Sequence, residues 1–210
     1  MKNYKTIFPG YLKQIELTGQ LPDYSSNYSK NRYDTYNTNE SISELRYSLL
    51  DRVIKNFDSI TDFGYGNGSF MYFCSKKGKK VFGFDISDYP VPEKCQKLDH
   101  VNDVEVDVVT FFDSIEHLID ISPKEMLISL RTKYVAISVP WYHEEQGEEW
   151  FLRWKHRREN EHIHHFDSHG LVRLVNESGY KILYLGNDED LIRKPVDKLS
   201  NILTILAKKL

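Results

Sequence analysis

A chain of 210 residues with 40% hydrophobic and 28% charged side chains has the size and balance of one packed domain, which excludes wholesale disorder, collagen and coiled-coil architectures. A formal net charge of −3 removes the basic surface on which phosphate-backbone binding rests, so no nucleic-acid partner is expected. No window approaches the roughly 20 apolar residues that span a bilayer, residues 1–12 lack a signal-peptide core, and Cys74 and Cys95 form no CxxC pair, so no membrane partner and a reduced, cytoplasmic protein are expected.

In chain order, Leu21 to Asn39 is crowded with Tyr, Asn, Ser and Asp and has neither helical nor strand periodicity. Residues 1–40 are therefore read as an N-terminal lid or loop extension, with Tyr24, Tyr28, Tyr33 and Tyr36 either closing over a ligand or packing on outer helices. Ser41 with Glu44 makes a candidate capping box, and Leu45, Leu49, Val53 and Phe57 recur at helical spacing. The domain proper, 41–210, then alternates strand (Ser59 to Phe63), helix (Gly68 to Lys77) and strand (Lys80 to Asp85), the rhythm of a parallel βαβ unit. Val106 to Phe112 is apolar enough for a central strand buried on both faces, and Ser122-Pro123-Lys124-Glu125 opens a helix. Tyr134 to Val139 is the next strand, a helix runs from near Asp167 to Gly179, and Tyr180 to Leu185 and Asn201 to Ala207 are the final strands.

Asp62-Phe63-Gly64-Tyr65-Gly66-Asn67-Gly68 falls where a strand turns into a helix, so its glycines allow a tight bend and close approach of backbone N–H groups to a ligand. Asp85 ends the next strand at the separation that sets a carboxylate on a ribose diol in dinucleotide folds. Loop and acid together point to a nucleoside pocket. The spacing is GxGxG, not the GxGxxG of nicotinamide and flavin binders, and this weighs against an oxidoreductase.

The loop, Asp85, the run Asp107-Val108-Val109-Thr110-Phe111-Phe112-Asp113-Ser114-Ile115-Glu116-His117-Leu118 and Ile137-Ser138-Val139-Pro140 resemble, in order and interval, the signature of class I S-adenosylmethionine-dependent methyltransferases. The resemblance covers roughly Ser41 to Ala207. It implies an α/β fold, a doubly wound, mostly parallel seven-stranded sheet with the last strand antiparallel, and S-adenosylmethionine as cofactor with S-adenosylhomocysteine as product. Carried over, it gives Asp62, Gly64, Tyr65, Gly66 and Asn67 to the methionine end of the cofactor and Asp85 with Ile86 to the nucleoside. Phe112 and Asp113 come beside the methionine moiety. Only a short stretch separates Asp85 from Asp107, so the third strand is expected to be stunted. The adenine contact falls on Asp99, which follows Leu98 in the more strand-like piece, or on Asp103, and both also read as solvated loop acids. Glu116 and His117 invite an acid–base role, but in look-alike families the pair mostly shapes the cofactor site.

All three tryptophans (Trp141, Trp150, Trp154) and six of the eight histidines (His143, His156, His162, His164, His165, His169) lie between Pro140 and Gly170. This insertion, 141–166, follows the fifth strand and should overhang the pocket. Flat tryptophan faces beside Arg153, Lys155, Arg157 and Arg158 suit a phosphate, carboxylate or acidic sugar. The plainer alternative buries Trp150, Phe151 and Trp154 as the stripe of an amphipathic helix and leaves the cations in water. His143, then His165, then His164 are the candidate general bases. The same histidines with Glu144 or Glu161 could hold a divalent ion, but the spacing matches no strong metal motif, so no metal is expected. Asp188-Glu189-Asp190 reads as a solvated loop between the last two strands, or as acids that orient the basic insertion.

The expectation is therefore methyl transfer to a small-molecule acceptor, with a sugar nucleotide or acidic glycan favoured. The rivals are a nicotinamide-dependent sugar reductase or epimerase and a non-catalytic nucleoside-binding module.

Overall fold

The computed structural model describes residues 2–22 and 40–210; the four tyrosines of the expected lid lie outside them. The chain opens with a hairpin, β1 (Tyr4–Phe8) and β2 (Tyr11–Gln14). There follow α1 (Glu40–Ile54), β3 (Ser59–Phe63), α2 (Ser69–Lys76), β4 (Lys80–Phe84), β5 (Cys95–Lys97) and β6 (Val106–Phe112). The rest is α3 (Pro123–Ser129), β7 (Thr132–Pro140), α4 (Gly147–Arg153), β8 (His164–Phe166), α5 (Ser168–Glu177), β9 (Tyr180–Gly186), α6 (Asp190–Arg193) and β10 (Ile202–Lys209).

Seven of these strands form one sheet in the order β5-β4-β3-β6-β7-β10-β9. The five on the left run parallel, and β10, last in the chain, is antiparallel to both β7 and β9. The fold is thus the doubly wound α/β arrangement expected, and the third strand, β5, has only three residues. β6 and β7 are buried along nearly their whole length because helices cover both faces, whereas the edge strand β9, after buried Tyr180, alternates exposed and half-buried positions. One apolar layer packs α3 and α5 on the sheet through Leu127, Leu171 and Leu174; the other packs α1 and α2 through Leu50 and Met71, with Phe57 from the segment after α1.

Local chemistry sets the helix starts. Ser122 Oγ accepts from the Glu125 amide while the Glu125 carboxylate accepts from the Ser122 amide, a complete capping box with Pro123 in the first turn. Asp167 caps α5 through Gly170 N at 2.7 Å. The Ser41–Glu44 expectation is corrected: α1 begins at Glu40, which puts Ser41 inside the first turn instead of ahead of it.

The N-terminal extension is not loop throughout. Residues 4–14 form the hairpin, and β2 pairs antiparallel with β8 of the insertion to give a three-stranded sheet. Neither hairpin nor insertion can bury its aromatic residues alone. Together they enclose a small core of Tyr4, Leu12, Tyr142, Trp150, Phe151 and Trp154.

Candidate active site

The strand order reverses between β3 and β6, with β4 and β5 on one side and β7 on the other. In open α/β sheets ligands bind beyond the carboxyl ends of the strands at such a switch point. Two loops leave from there, 64–68 after β3 and 113–118 after β6, and they touch. Gly64 has φ +72°, and a Cβ on it would come within 2.7 Å of the Ser114 Cβ, so both backbone conformation and space demand glycine.

The glycine loop is tied to the acid that follows it. Asp85 Oδ2 accepts from Gly66 N at 2.9 Å and Oδ1 from Ser87 N at 2.8 Å. Each oxygen keeps a lone pair after these bonds, so a fixed carboxylate remains able to accept from a diol. Beside it Ile86 is 70% exposed, apolar surface of a kind that a nucleobase would cover. Tyr65 is buried and donates to Tyr89 O at 2.6 Å, and Asn67 Oδ1 accepts from Ser69 N at 3.1 Å at the start of α2. These two side chains shape the loop. Asp62 lies below it, buried in the sheet, where burial pushes its pKa up to about 7 against the opposing hydrogen bond from Thr110 Oγ1 at 2.7 Å. Beyond β5, Asp99 is exposed, while Asp103 Oδ2 is used by the His100 amide at 2.8 Å.

After β6 the backbone turns sharply, with Asp113 at φ +55°. Arg193 Nη1 donates to both its oxygens at 2.9 and 2.7 Å, and Arg46 Nη2 to one at 3.2 Å. Burial alone would raise the Asp113 pKa, but the two guanidinium groups hold it below the usual carboxylate range. Arg46 also lies 4.2 Å from the Phe112 ring centroid and pairs with Glu189 at 2.8 and 2.9 Å. Glu189 is 1% exposed, and Asp190 accepts from Asn201 N and Ile202 N. The acidic run 188–190 is therefore no solvated loop: Glu189 and Asp190 anchor α1, α6 and the start of β10 at the rim of the site. Nothing local in the sequence marked Arg46, Glu189 or Arg193, since their pairing joins segments far apart in the chain.

A single 3₁₀ turn, Ile115–His117, follows. Glu116 is 1% exposed, and neither of its carboxylate oxygens has a hydrogen-bond partner. Burial, then the charge of Asp113, lifts its pKa well above the ordinary value.

The three histidines nominated as bases are differently placed from that expectation. His143 uses Nε2 on Ser200 O at 2.8 Å and Nδ1 on Glu145 at 3.1 Å. His164 uses Nδ1 on the Tyr11 hydroxyl at 2.6 Å and Nε2 on Leu118 O at 2.8 Å, and burial lowers its pKa to about 4. His165 is enclosed by Phe151, Tyr4, Trp154 and Tyr142, and burial lowers its pKa to about 3. None of the three presents an accessible, uncommitted ring nitrogen to an acceptor, because the insertion spends them on its own packing and on β2.

The tryptophans are corrected in the same way. Trp150 and Trp154 are 6% exposed and stack at 5.3 Å inside the small core, as the amphipathic-helix alternative required. Trp141 is half-buried and stacks on His143 at 5.5 Å. Arg157 pairs with Glu159, and Arg158 with Glu161 at 3.1 Å, while Arg153 and Lys155 are exposed. Glu144, one of two acids weighed as an alternative ion ligand with the histidines, accepts from Gly10 N at 2.9 Å.

A family model described as a methyltransferase domain matches residues 33–185. No curated protein matches by sequence. Among solved structures, the chain is similar to a Burkholderia thailandensis 1,6-didemethyltoxoflavin-N1-methyltransferase, with TM-score 0.65, 14% identity and 99% of each chain covered. It is also similar to a magnesium protoporphyrin IX methyltransferase from Synechocystis, with TM-score 0.59, 14% identity, and 81% of this chain and 83% of that one covered. An S-adenosylmethionine-dependent methyltransferase from Clostridium acetobutylicum gives TM-score 0.60 at 12% identity over 88% and 97%. At such identities these likenesses speak for the fold. No helix among the described residues is long and apolar enough to cross a membrane.

Proposed function

The chain belongs to the methyltransferase-domain family, and from that premise we propose that it moves a methyl group from S-adenosylmethionine to a small-molecule acceptor, releasing S-adenosylhomocysteine. The observation that carries the reading is the bond from the Gly66 amide to Asp85 at the switch point, which fixes a bent, glycine-bearing loop and a diol-binding carboxylate as one unit. The donor set fits the cofactor: main-chain amides for its amino-acid end, Asp85 for its ribose, the exposed Ile86 for its base and Asp99 beyond β5 for the base's polar edge. Two of the structures with this fold hold S-adenosylhomocysteine.

When bound, the cofactor supplies a methyl group already activated on a sulfonium. What remains for the chain is alignment and exclusion of water. Phe112, held under Arg46, and Asp113, held by Arg46 and Arg193, form a rigid floor beside the glycine loop. The 113–118 loop and the insertion close the acceptor side, joined by Ile163 N to Glu116 O at 2.8 Å.

A sugar nucleotide or acidic glycan is the narrower acceptor reading. With Trp150 and Trp154 buried, it rests on the exposed Arg153 and Lys155 and on Trp141. Calorimetry with both cofactor forms, followed by transfer of labelled methyl groups to a panel of acidic sugars, sugar nucleotides and uncharged heterocycles, tests both levels. Micromolar binding of the two forms with turnover on one acceptor class is expected. Absence of binding removes the methyltransferase reading, binding without turnover on any class favours a nucleoside-binding module, and turnover on uncharged acceptors alone removes the glycan reading.

A further inference from the structure

We propose that Glu116, His117 and His162 form a site for one divalent transition-metal ion at the acceptor end of the crevice. Each offers a ligand atom, and these atoms lie within 4.8 Å of one another, a separation that one ion can bridge. The independent pointer is Glu116. A carboxyl group without a hydrogen bond is costly to bury in either protonation state, and a buried carboxylate charge is ordinarily paired or bound to metal. Yet Glu116 is 1% exposed with both oxygens unpartnered, and His117 Nε2, at 3.9 Å from Oε1, stands beyond hydrogen-bond reach. Arg46 and Arg193, the cations at this end of the sheet, bond Asp113 and Glu189.

The three ligands are brought together by tertiary pairing. The 3₁₀ turn after β6 supplies Glu116 and His117 as neighbours, and the segment leading into β8 supplies His162. The two segments are joined by Ile163 N to Glu116 O at 2.8 Å and by His164 Nε2 to Leu118 O at 2.8 Å, one bond on each side of the cluster. The His117 and His162 rings meet edge to face at 4.7 Å, and His162 stacks on His156 at 6.4 Å, which limits the freedom of both imidazoles.

Two imidazoles and one carboxylate suit zinc, manganese, iron or cobalt better than magnesium or calcium, which take mostly oxygen ligands. Three protein ligands leave coordination positions open, the arrangement of catalytic and not structural sites. Resting on the methyl-transfer reading above, the ion would hold an acceptor oxygen beside the cofactor and lower its proton affinity. That assigns hydroxyl- or phenol-bearing acceptors, and it supplies the activation that the committed ring nitrogens of His143 and His164 do not.

The test uses the full chain after chelator treatment. Titration with Co²⁺, read by its visible d–d bands, and with Zn²⁺ and Mn²⁺ by calorimetry should give one ion per chain. Glu116→Gln and His162→Ala should each weaken Co²⁺ at least about tenfold. S-adenosylhomocysteine affinity, measured on the same samples, should move less than about twofold. His117→Ala, at a half-exposed position, carries the same expectation if the buried variants fail to fold. Absence of stoichiometric binding, or binding that Glu116→Gln and His117→Ala leave unchanged, overturns the site. Metal binding without S-adenosylhomocysteine binding would instead leave the site standing and remove the methyl-transfer reading.

Discussion

The loops that leave β3 and β6 face each other across the switch point and are built on opposite terms. In the first, nearly every polar group is accounted for within a few residues or by one neighbour: Gly66 on Asp85, Asn67 on Ser69, Tyr65 on Tyr89. In the second, the Asp113 carboxylate is held by arginines from α1 and α6, and Glu116 is buried with both oxygens unpaired. The first is a finished backbone cradle. The second is stabilised from a distance and retains an unmet electrostatic demand, the combination expected where a protein varies its chemistry on a constant scaffold.

The sharpest way to break this contrast is to remove the support of the second loop. Glu189→Ala would remove the buried carboxylate shared by Arg46 and Arg193 and leave both guanidinium groups on Asp113 alone, and a loss of about 3–5 kcal/mol in denaturant unfolding is expected. A loss below about 1 kcal/mol would show that the clamp on Asp113 is dispensable. In the first loop, Asp85→Ala removes the acceptor of both the Gly66 and Ser87 amides as well as the carboxylate proposed to take the diol. Cofactor affinity should fall about 10–100-fold, which calorimetry reads directly, since a charged hydrogen-bonded group contributes about 1.5–3 kcal/mol.

Beneath the cradle, the elevated pKa of Asp62 gives a signed pH effect. Because the folded state binds this proton more tightly than the unfolded state, the contribution is complete below about pH 4 and is lost as pH rises through about 7. Asp62→Asn should flatten the stability–pH curve over that window by roughly 2–4 kcal/mol. An unchanged curve would place the Asp62 titration at its ordinary value. The smallest change is expected at His165→Phe, which keeps an aromatic ring among Phe151, Tyr4 and Trp154 and removes an unpaired buried nitrogen. Stability should shift by less than about 1.5 kcal/mol with turnover retained. Collapse of turnover in a folded His165→Phe protein would restore that residue as a base.

The contrast also explains what could be read from the residues in order. The sheet follows from apolar runs such as 106–112 and from turn chemistry such as Ser122-Pro123, both confined to a few neighbouring positions. The glycine loop with Asp85 was legible for the same reason, since one βαβ step sets its spacing. The insertion was misread where its partners were remote. Its tryptophans look like acceptor surface until the hairpin at 4–14, which turns at Pro9-Gly10, is found pairing with β8 and closing a core over Trp150 and Trp154. Glu189 looked solvated until Arg46, 143 positions away, was found against it.

Periodicity and turn residues by themselves determined the α/β class, the strand succession of the large sheet and the glycine loop with its acid, because those depend on backbone geometry within one element and the next. Tertiary structure alone decided which charges are buried, which histidines are spent on packing and which two histidines converge on Glu116. Burial and pairing are properties of surfaces brought together from distant segments, and the energy of a carboxylate or an imidazole is set by that surrounding and not by its neighbours along the chain.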